Sequence, residues 1–154
     1  MKSGKKIYES PVDVPKEIDA YWHNRWAEIM NEKYREKFLE AGLAGHSYTE
    51  KAPDMPNGEG AYHFGFRSND GAFEFRNEEG DAVVEWDTYK MTFQALGDPT
   101  YDPTKDIKEG RCRYIKNPEH FGLAVNVIPI FREVLKIAIA ETEKKYNVVL
   151  PKFW

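Results

Sequence analysis

The chain has 154 residues, enough to bury a core without staples, and a single domain over 1–154 is the expected organisation. Its 22 Lys and Arg against 26 Asp and Glu leave a formal net charge of −4, so no basic excess draws it to a phosphate backbone or an anionic membrane, and nucleic acid is excluded as a partner. One cysteine, Cys112, rules out an intramolecular disulfide framework and fits a reducing compartment.

The opening "MKSGKKIYES" is basic but runs into polar residues and Pro11, without the apolar core of a secretory signal, and a cytoplasmic protein is expected. A folded core of about 16–145 is expected between an N-terminal extension, 1–15, and an apolar C-terminal tail, 146–154. Residues 16–41 read as a long helix. Pro15 suits its first position, Gly42 its stop, and Ile18, Trp22, Trp26, Ile29 and Phe38 fall near one stripe, with "NEKYREK" on a charged face.

The period then changes. "HSYTEKA" (46–52) is a weak strand, followed by a Pro- and Gly-rich loop from Pro53 to Gly60. In "AYHFGFR", Tyr62, Phe64 and Phe66 alternate with His63, Gly65 and Arg67; after the turn at 68–71, Phe73 and Phe75 alternate with Glu74 and Arg76. This predicts a hairpin with one aromatic face. "DAVVEW" (81–86) gives a further strand, with Val84 and Trp86 on one side, before Asp87 caps a short helix carrying Tyr89, Phe93 and Leu96.

"GDPTYDPTKD" reads as a loop and "RCRYIK" (111–116) as the last strand. Asn117 is placed to cap, and Pro118 to open, a C-terminal helix that Pro129 divides or kinks. Four consecutive strands with helices segregated around them predict an α+β fold: a mostly antiparallel five-stranded sheet covered by helices, with long N-terminal and C-terminal ones.

The stretch "GLAVNVIPIFREVLKIAIA" (Gly122 to Ala140) stands out in a chain of mean hydropathy −0.71. It does not span a membrane. The longest uncharged run, Phe121 to Phe131, is 11 residues and holds Asn126 and Pro129, against the roughly 20 apolar residues a span requires. From Phe121 to Phe131 the helix is nevertheless apolar nearly all round, so its second face needs a partner. A pocket, a dimer interface or the tail "NVVLPKFW" can each supply one; if the tail folds back, Val149, Leu150, Phe153 and Trp154 would cap a cavity mouth.

With "RWAEIMNEKYREKF" before the first strand, the loop "PDMPNGEG", the hairpin "FRSNDGAFEF", "AVVEWDTYKMTFQALG", then Asp98-Pro99 or Asp102-Pro103 and "EGRCRYIKN", the chain resembles the sterol carrier protein type 2 (SCP-2) family. The similarity is to its small stand-alone prokaryotic members and covers roughly residues 18–140. The family's Gly-Lys before the last strand is here Gly110-Arg111, and Asn117 stands where a second glycine would, a residue that tolerates the left-handed turn.

The resemblance implies a carrier of lipids, fatty acyl groups or other apolar molecules, not necessarily a sterol, in a tunnel between the sheet and the C-terminal helices. The pocket it implies is lined by Phe64, Phe66, Trp86, Phe93, Phe121, Val125, Ile128, Phe131 and Leu135, with Arg113 and Tyr114 at the mouth to orient a head group. By pattern alone such stripes ordinarily form core.

Chemistry is sparsely signalled. His23, His46, His63 and His120 form no i, i+4 pair and have no cysteine at zinc-ligand spacing, so no metal is expected. Cys112, on a strand between Arg111 and Arg113, reads as a small buried filler more than a nucleophile. With no Gly-x-Ser-x-Gly and no phosphate-cradling loop, no cofactor is expected and the chain is not read as an enzyme. Two alternatives stay open. Glu74, Glu85 or Asp87 beside apolar walls would serve a small general-base isomerase or dehydratase. The apolar tail and the charged helix face would suit an accessory subunit of a multicomponent enzyme, or a homodimer.

Overall fold

In a computed structural model, which describes residues 4–154, the chain forms two sheets and five α-helices. After a two-residue strand β1 (Lys6–Ile7), α1 runs over Lys16–Glu40. Pro15 is extended and sits just outside the helix, one position earlier than expected. The stop is as read: Gly42 takes φ +78°, its N–H donates to Leu39 O, and Leu43 N–H donates to Phe38 O, which satisfies the last carbonyls. The buried stripe of α1 includes two polar members that periodicity did not single out, Asp19 and His23.

The main sheet holds β2 (Ser47–Lys51), β3 (Ala61–Phe66), β4 (Phe73–Phe75), β5 (Ala82–Trp86) and β6 (Cys112–Lys116) in the order β4-β3-β2-β5-β6. Three pairings are antiparallel, but β2 and β5 are parallel, so the sheet is mixed. The hairpin's aromatic face forms as expected, with Phe64 opposite Phe75 and Phe66 opposite Phe73. Asn31 of α1 clips this edge to the helix: its Nδ2 donates to Phe73 O at 2.7 Å and its Oδ1 accepts from Phe73 N at 2.6 Å.

The parallel pairing depends on one close passage. Phe75, Phe64, Tyr48 and Ala82 are successive partners in one row, so the link from Arg76 to Asp81 starts and ends at the same height and crosses straight over two strands. Three strand spacings are about 14 Å, and a link of this length reaches about 20 Å. It runs over the face away from the helices, where Thr49 Oγ1 accepts from Gly80 N at 2.7 Å and Ser47 Oγ from Asp81 N at 2.9 Å. A Cβ on Gly80 would lie 2.4 Å from the backbone N of Tyr48, so only glycine fits against the central strand.

Helix α2 (Tyr89–Gly97) is capped by Thr88, whose hydroxyl accepts from Met91 N at 3.3 Å, and Asp54 Oδ1 accepts from Tyr89 N at 2.7 Å. Asp87, the expected cap, instead takes a hydrogen bond from Arg113. The expected loop contains a short helix, α3 (Thr104–Lys108). Asn117 does not cap; it adopts φ 44°, in the left-handed region, and its Nδ2 donates to Asp81 O. The terminal helix is divided, as Pro129 predicted, into α4 (His120–Val125) and α5 (Ile128–Tyr146).

The core lies between α1, α5 and one end of the sheet. Phe131, Val134, Leu135, Ala138, Ile139 and Thr142 form the buried face of α5, and Trp26 Nε1 donates to Phe131 O at 3.0 Å. After a left-handed Asn147, β7 (Val148–Val149) pairs in parallel with β1. The tail does fold back: Val148 and Leu150 are buried, and Phe153 and Trp154 lie against Phe93 and Gly97.

Candidate functional site

Toward the other end of the sheet the helices part from the strands and leave a cavity of about 300 Å³. Its floor is the helix-facing side of the sheet: Glu50 on β2, Phe64 on β3, Val84 and Trp86 on β5, and Tyr114 on β6. Alternation puts these residues on one face, because adjacent residues of a strand point oppositely. Thr92, Ala95 and Leu96 of α2 and Tyr101 and Pro103 form the side, and Phe121, Ala124 and Val125 of α4 with Ile128, Phe131 and Arg132 of α5 form the roof. Val125 and Tyr114, 57% and 40% exposed, frame the open side.

Of the residues implied by resemblance, the structure gathers Phe64, Trp86, Phe121, Val125, Ile128, Phe131 and Tyr114 around this cavity. Four others lie elsewhere. Phe66 packs on Phe38 and Phe131 at the closed end of the sheet, and Leu135, one turn beyond Phe131, is fully buried in the core. Phe93 lines a separate void of about 40 Å³, packed on Trp22. Arg113 adjoins Tyr114 on a strand and therefore faces the opposite side, where it holds Glu85 at 2.9 Å and Asp87 at 2.9 Å. The tail residues do not reach the cavity rim.

The residue that sequence reasoning missed is Glu50. Its strand was the weakest of the five, and nothing local says which of its faces meets the helices. One of its oxygens accepts from Trp86 Nε1 at 3.1 Å, and burial, only partly opposed by that bond, pushes its pKa up to about 7. Two other polar side chains on the wall, those of Arg132 and Tyr101, are already engaged. Arg132 Nε donates to Leu96 O at 3.0 Å, and its Nη2 reaches Ala95 O and Asp98 O, closing the end of α2. Tyr101 donates its hydroxyl to Asp106. Thr92 Oγ1 is buried without a partner.

No family model matches this sequence, and no curated protein matches it. Among solved structures, that of a conserved hypothetical protein of Thermus thermophilus, offered as a candidate sterol carrier protein, aligns with a TM-score of 0.52 at 15% identity. It covers 86% of this chain and 95% of the other. The fold is that of a sterol carrier protein. Sterol carrier protein domain 2 of Helicoverpa armigera aligns at 17% identity over 84% of this chain and 95% of its own, with a TM-score of 0.44. At these identities the likeness concerns the fold.

Within the sterol carrier fold, the other candidate chemistry separates from the cavity. Glu85 and Asp87 are paired with Arg113 on the far face, and Glu74 is exposed opposite Gly65. Cys112 is buried, and desolvation together with the carboxylates of Glu50 and Asp106 pushes its thiol up to about 11, the reverse of an activated nucleophile. The histidines are dispersed: His63 bonds Thr49, His46 packs edge-on to His120, and His23 lies in the core.

A buried polar knot underlies the smaller void. Tyr62 and Tyr89 donate their hydroxyls to the two oxygens of Asp19, and His23 Nδ1 lies 2.7 Å from Asp19 O. His23 stacks between Trp22 and Tyr62, and burial lowers its pKa, so the ring is neutral near pH 7. Asp19 thereby ties α1 to β3 and α2 beside the cavity floor. Among the described residues no helix is long and apolar enough to cross a membrane.

Proposed function

We propose that the protein binds and carries an apolar small molecule in the cavity between the sheet and the helices α2, α4 and α5. The carrying observation is that cavity: about 300 Å³, walled mostly by aromatic and aliphatic side chains, with few polar groups. Its size lies at the lower end of small-molecule pockets, with room for about ten methylene-sized groups at roughly 30 Å³ each. Burying that many groups contributes about 8 kcal/mol at ~0.8 kcal/mol per methylene. The cost of association sets micromolar affinity as a ceiling. The sterol carrier fold supports the reading, as does α4, which has no fully buried residue and turns its apolar side to the cavity.

Native mass spectrometry of gently purified protein, followed by denaturing extraction, tests this reading. A discrete adduct, or one acquired from a mixed panel of lipids and apolar small molecules, is expected. Ala124→Phe, which fills the cavity from its roof, is expected to abolish uptake. A bare mass before and after incubation would remove the carrier function.

A further inference from the structure

The floor of the cavity holds a carboxyl group that the protein leaves without a counter-charge. Glu50 lies on the central strand, and its titration is set by burial and by the single hydrogen bond from Trp86; no cation contributes. The groups facing it are neutral. Tyr89 from α2, and Cys112 and Tyr114 from β6, all have their pKa raised, chiefly by burial. Tyr62 from β3 and His23 from α1 share the small void with Glu50; burial raises the first and lowers the second, so neither carries charge near pH 7. Tyr101 at the cavity side is likewise raised by burial. Arg132 is the cation on the wall, and three backbone carbonyls hold it at the end of α2.

A second, independent vacancy adjoins the first. Thr92 lines both the cavity and the small void with Glu50, and its Oγ1 is buried with no hydrogen-bond partner. A desolvated carboxyl group without a counter-charge and an unpaired buried hydroxyl are costly in an apolar wall unless something enters to satisfy them. An alkyl carboxylate brought to this floor would meet a second carboxyl group. An alcohol would satisfy one oxygen and leave an ionised Glu50 unmatched. An ammonium group has three donors and the opposite charge, which suits both vacancies.

We infer that the molecule carried is an apolar amine whose ammonium group pairs with Glu50 and donates to Thr92 Oγ1, the apolar part filling the cavity toward Val125. This rests on the carrier reading above and narrows its ligand class. Binding then requires the ionised form of Glu50, so amine affinity rises with pH through its titration.

The test is calorimetric titration of the full chain and of Glu50→Gln with decylamine, decanol and sodium decanoate, each below its micellar concentration, at pH 6 and pH 8. Expected for the native sequence is a preference for decylamine. Its affinity should be about tenfold tighter at pH 8, because the ionised fraction of a group of pKa about 7 rises from about one tenth to nine tenths. Glu50→Gln is expected to lose both the preference and the pH dependence while still taking up decanol, which also shows that the variant is folded. Equal or tighter binding of decanol or decanoate, or an amine preference that survives Glu50→Gln, would overturn the inference and leave the carrier reading standing. No binding of any of the three at either pH would remove the carrier reading, and the inference with it.

Discussion

Replacing Glu50 with Gln should stabilise the protein at alkaline pH and leave it unchanged in acid. In the fold the carboxyl has a pKa of about 7, against 4.5 for the ordinary side chain. The native state therefore holds a proton that the unfolded chain has released between these values, so its contribution to stability falls as pH rises from 4.5 to 7 and is constant above. At ~1.36 kcal/mol per unit, the shift amounts to about 3 kcal/mol of destabilisation at pH 8. Gln keeps the shape and a carbonyl oxygen for Trp86 Nε1 but has no charge to desolvate. For a chain of this size, 3 kcal/mol corresponds to roughly 6–12 °C in Tm. Urea denaturation of both proteins at half-unit steps from pH 4.5 to 8 provides the assay, since every other titrating group cancels in the difference. Parallel stability curves would refute the reasoning, because they would mean that Glu50 titrates alike in both states.

Three further substitutions test other parts of the architecture. Gly80→Ala should destabilise by about 3 kcal/mol or more in urea denaturation, because its Cβ would meet the backbone of Tyr48, which cannot yield as a side chain can. Leu150→Ala should cost about 2–5 kcal/mol by the same assay if the tail is part of the core, whereas a loosely attached tail would show almost none of that loss. Arg113→Ala should leave ligand affinity within twofold and stability nearly unchanged, since its ion pairs are solvated and on the far face; a tenfold loss of affinity would return it to the cavity mouth.

What was legible in the sequence follows from the range of the signals. The helix stop at Gly42, the aromatic hairpin and the break near Pro129 are each written within a few residues, and each is present in the fold. The neighbours of β5 are not local information. A reader of hairpins pairs it with β4, whereas the chain crosses to the other side of β2, and the clue was a glycine, Gly80, whose necessity appears only once a strand lies against it. The cavity divides in the same way. Residues on α4 were recoverable because that segment is apolar on more faces than a core contact uses. The floor needed the knowledge of which strand face meets the helices: Arg113 and Tyr114 cannot share one, and "SYTEK" hides Glu50 among polar neighbours. Glu74, Glu85 and Asp87 lie outside the cavity, and the carboxyl group on its floor is that of Glu50.

The distribution of burial along the terminal helices points to where the cavity opens. Phe131 is the boundary: Trp26, Phe38 and Phe73 pack against its ring, Trp26 also bonds its carbonyl, and it still contributes to the cavity wall. Beyond it, α5 is anchored by Val134, Leu135, Ala138 and Ile139. Before it, α4 has no fully buried residue, and the turns at its two ends close through i to i+3 bonds, from Phe121 N to Pro118 O and from Val127 N to Ala124 O. Segments with few buried contacts open at lower free energy than the core. Backbone amides over 121–127 should therefore exchange with deuterium faster than those over 134–142, by about tenfold for each 1.4 kcal/mol that separates local from global opening. A bound molecule under the roof should slow the first group and leave the second unchanged. Protection of both groups alike would mean that α4 opens only with the whole fold, and the ligand would then have to enter past Tyr114 with the roof closed.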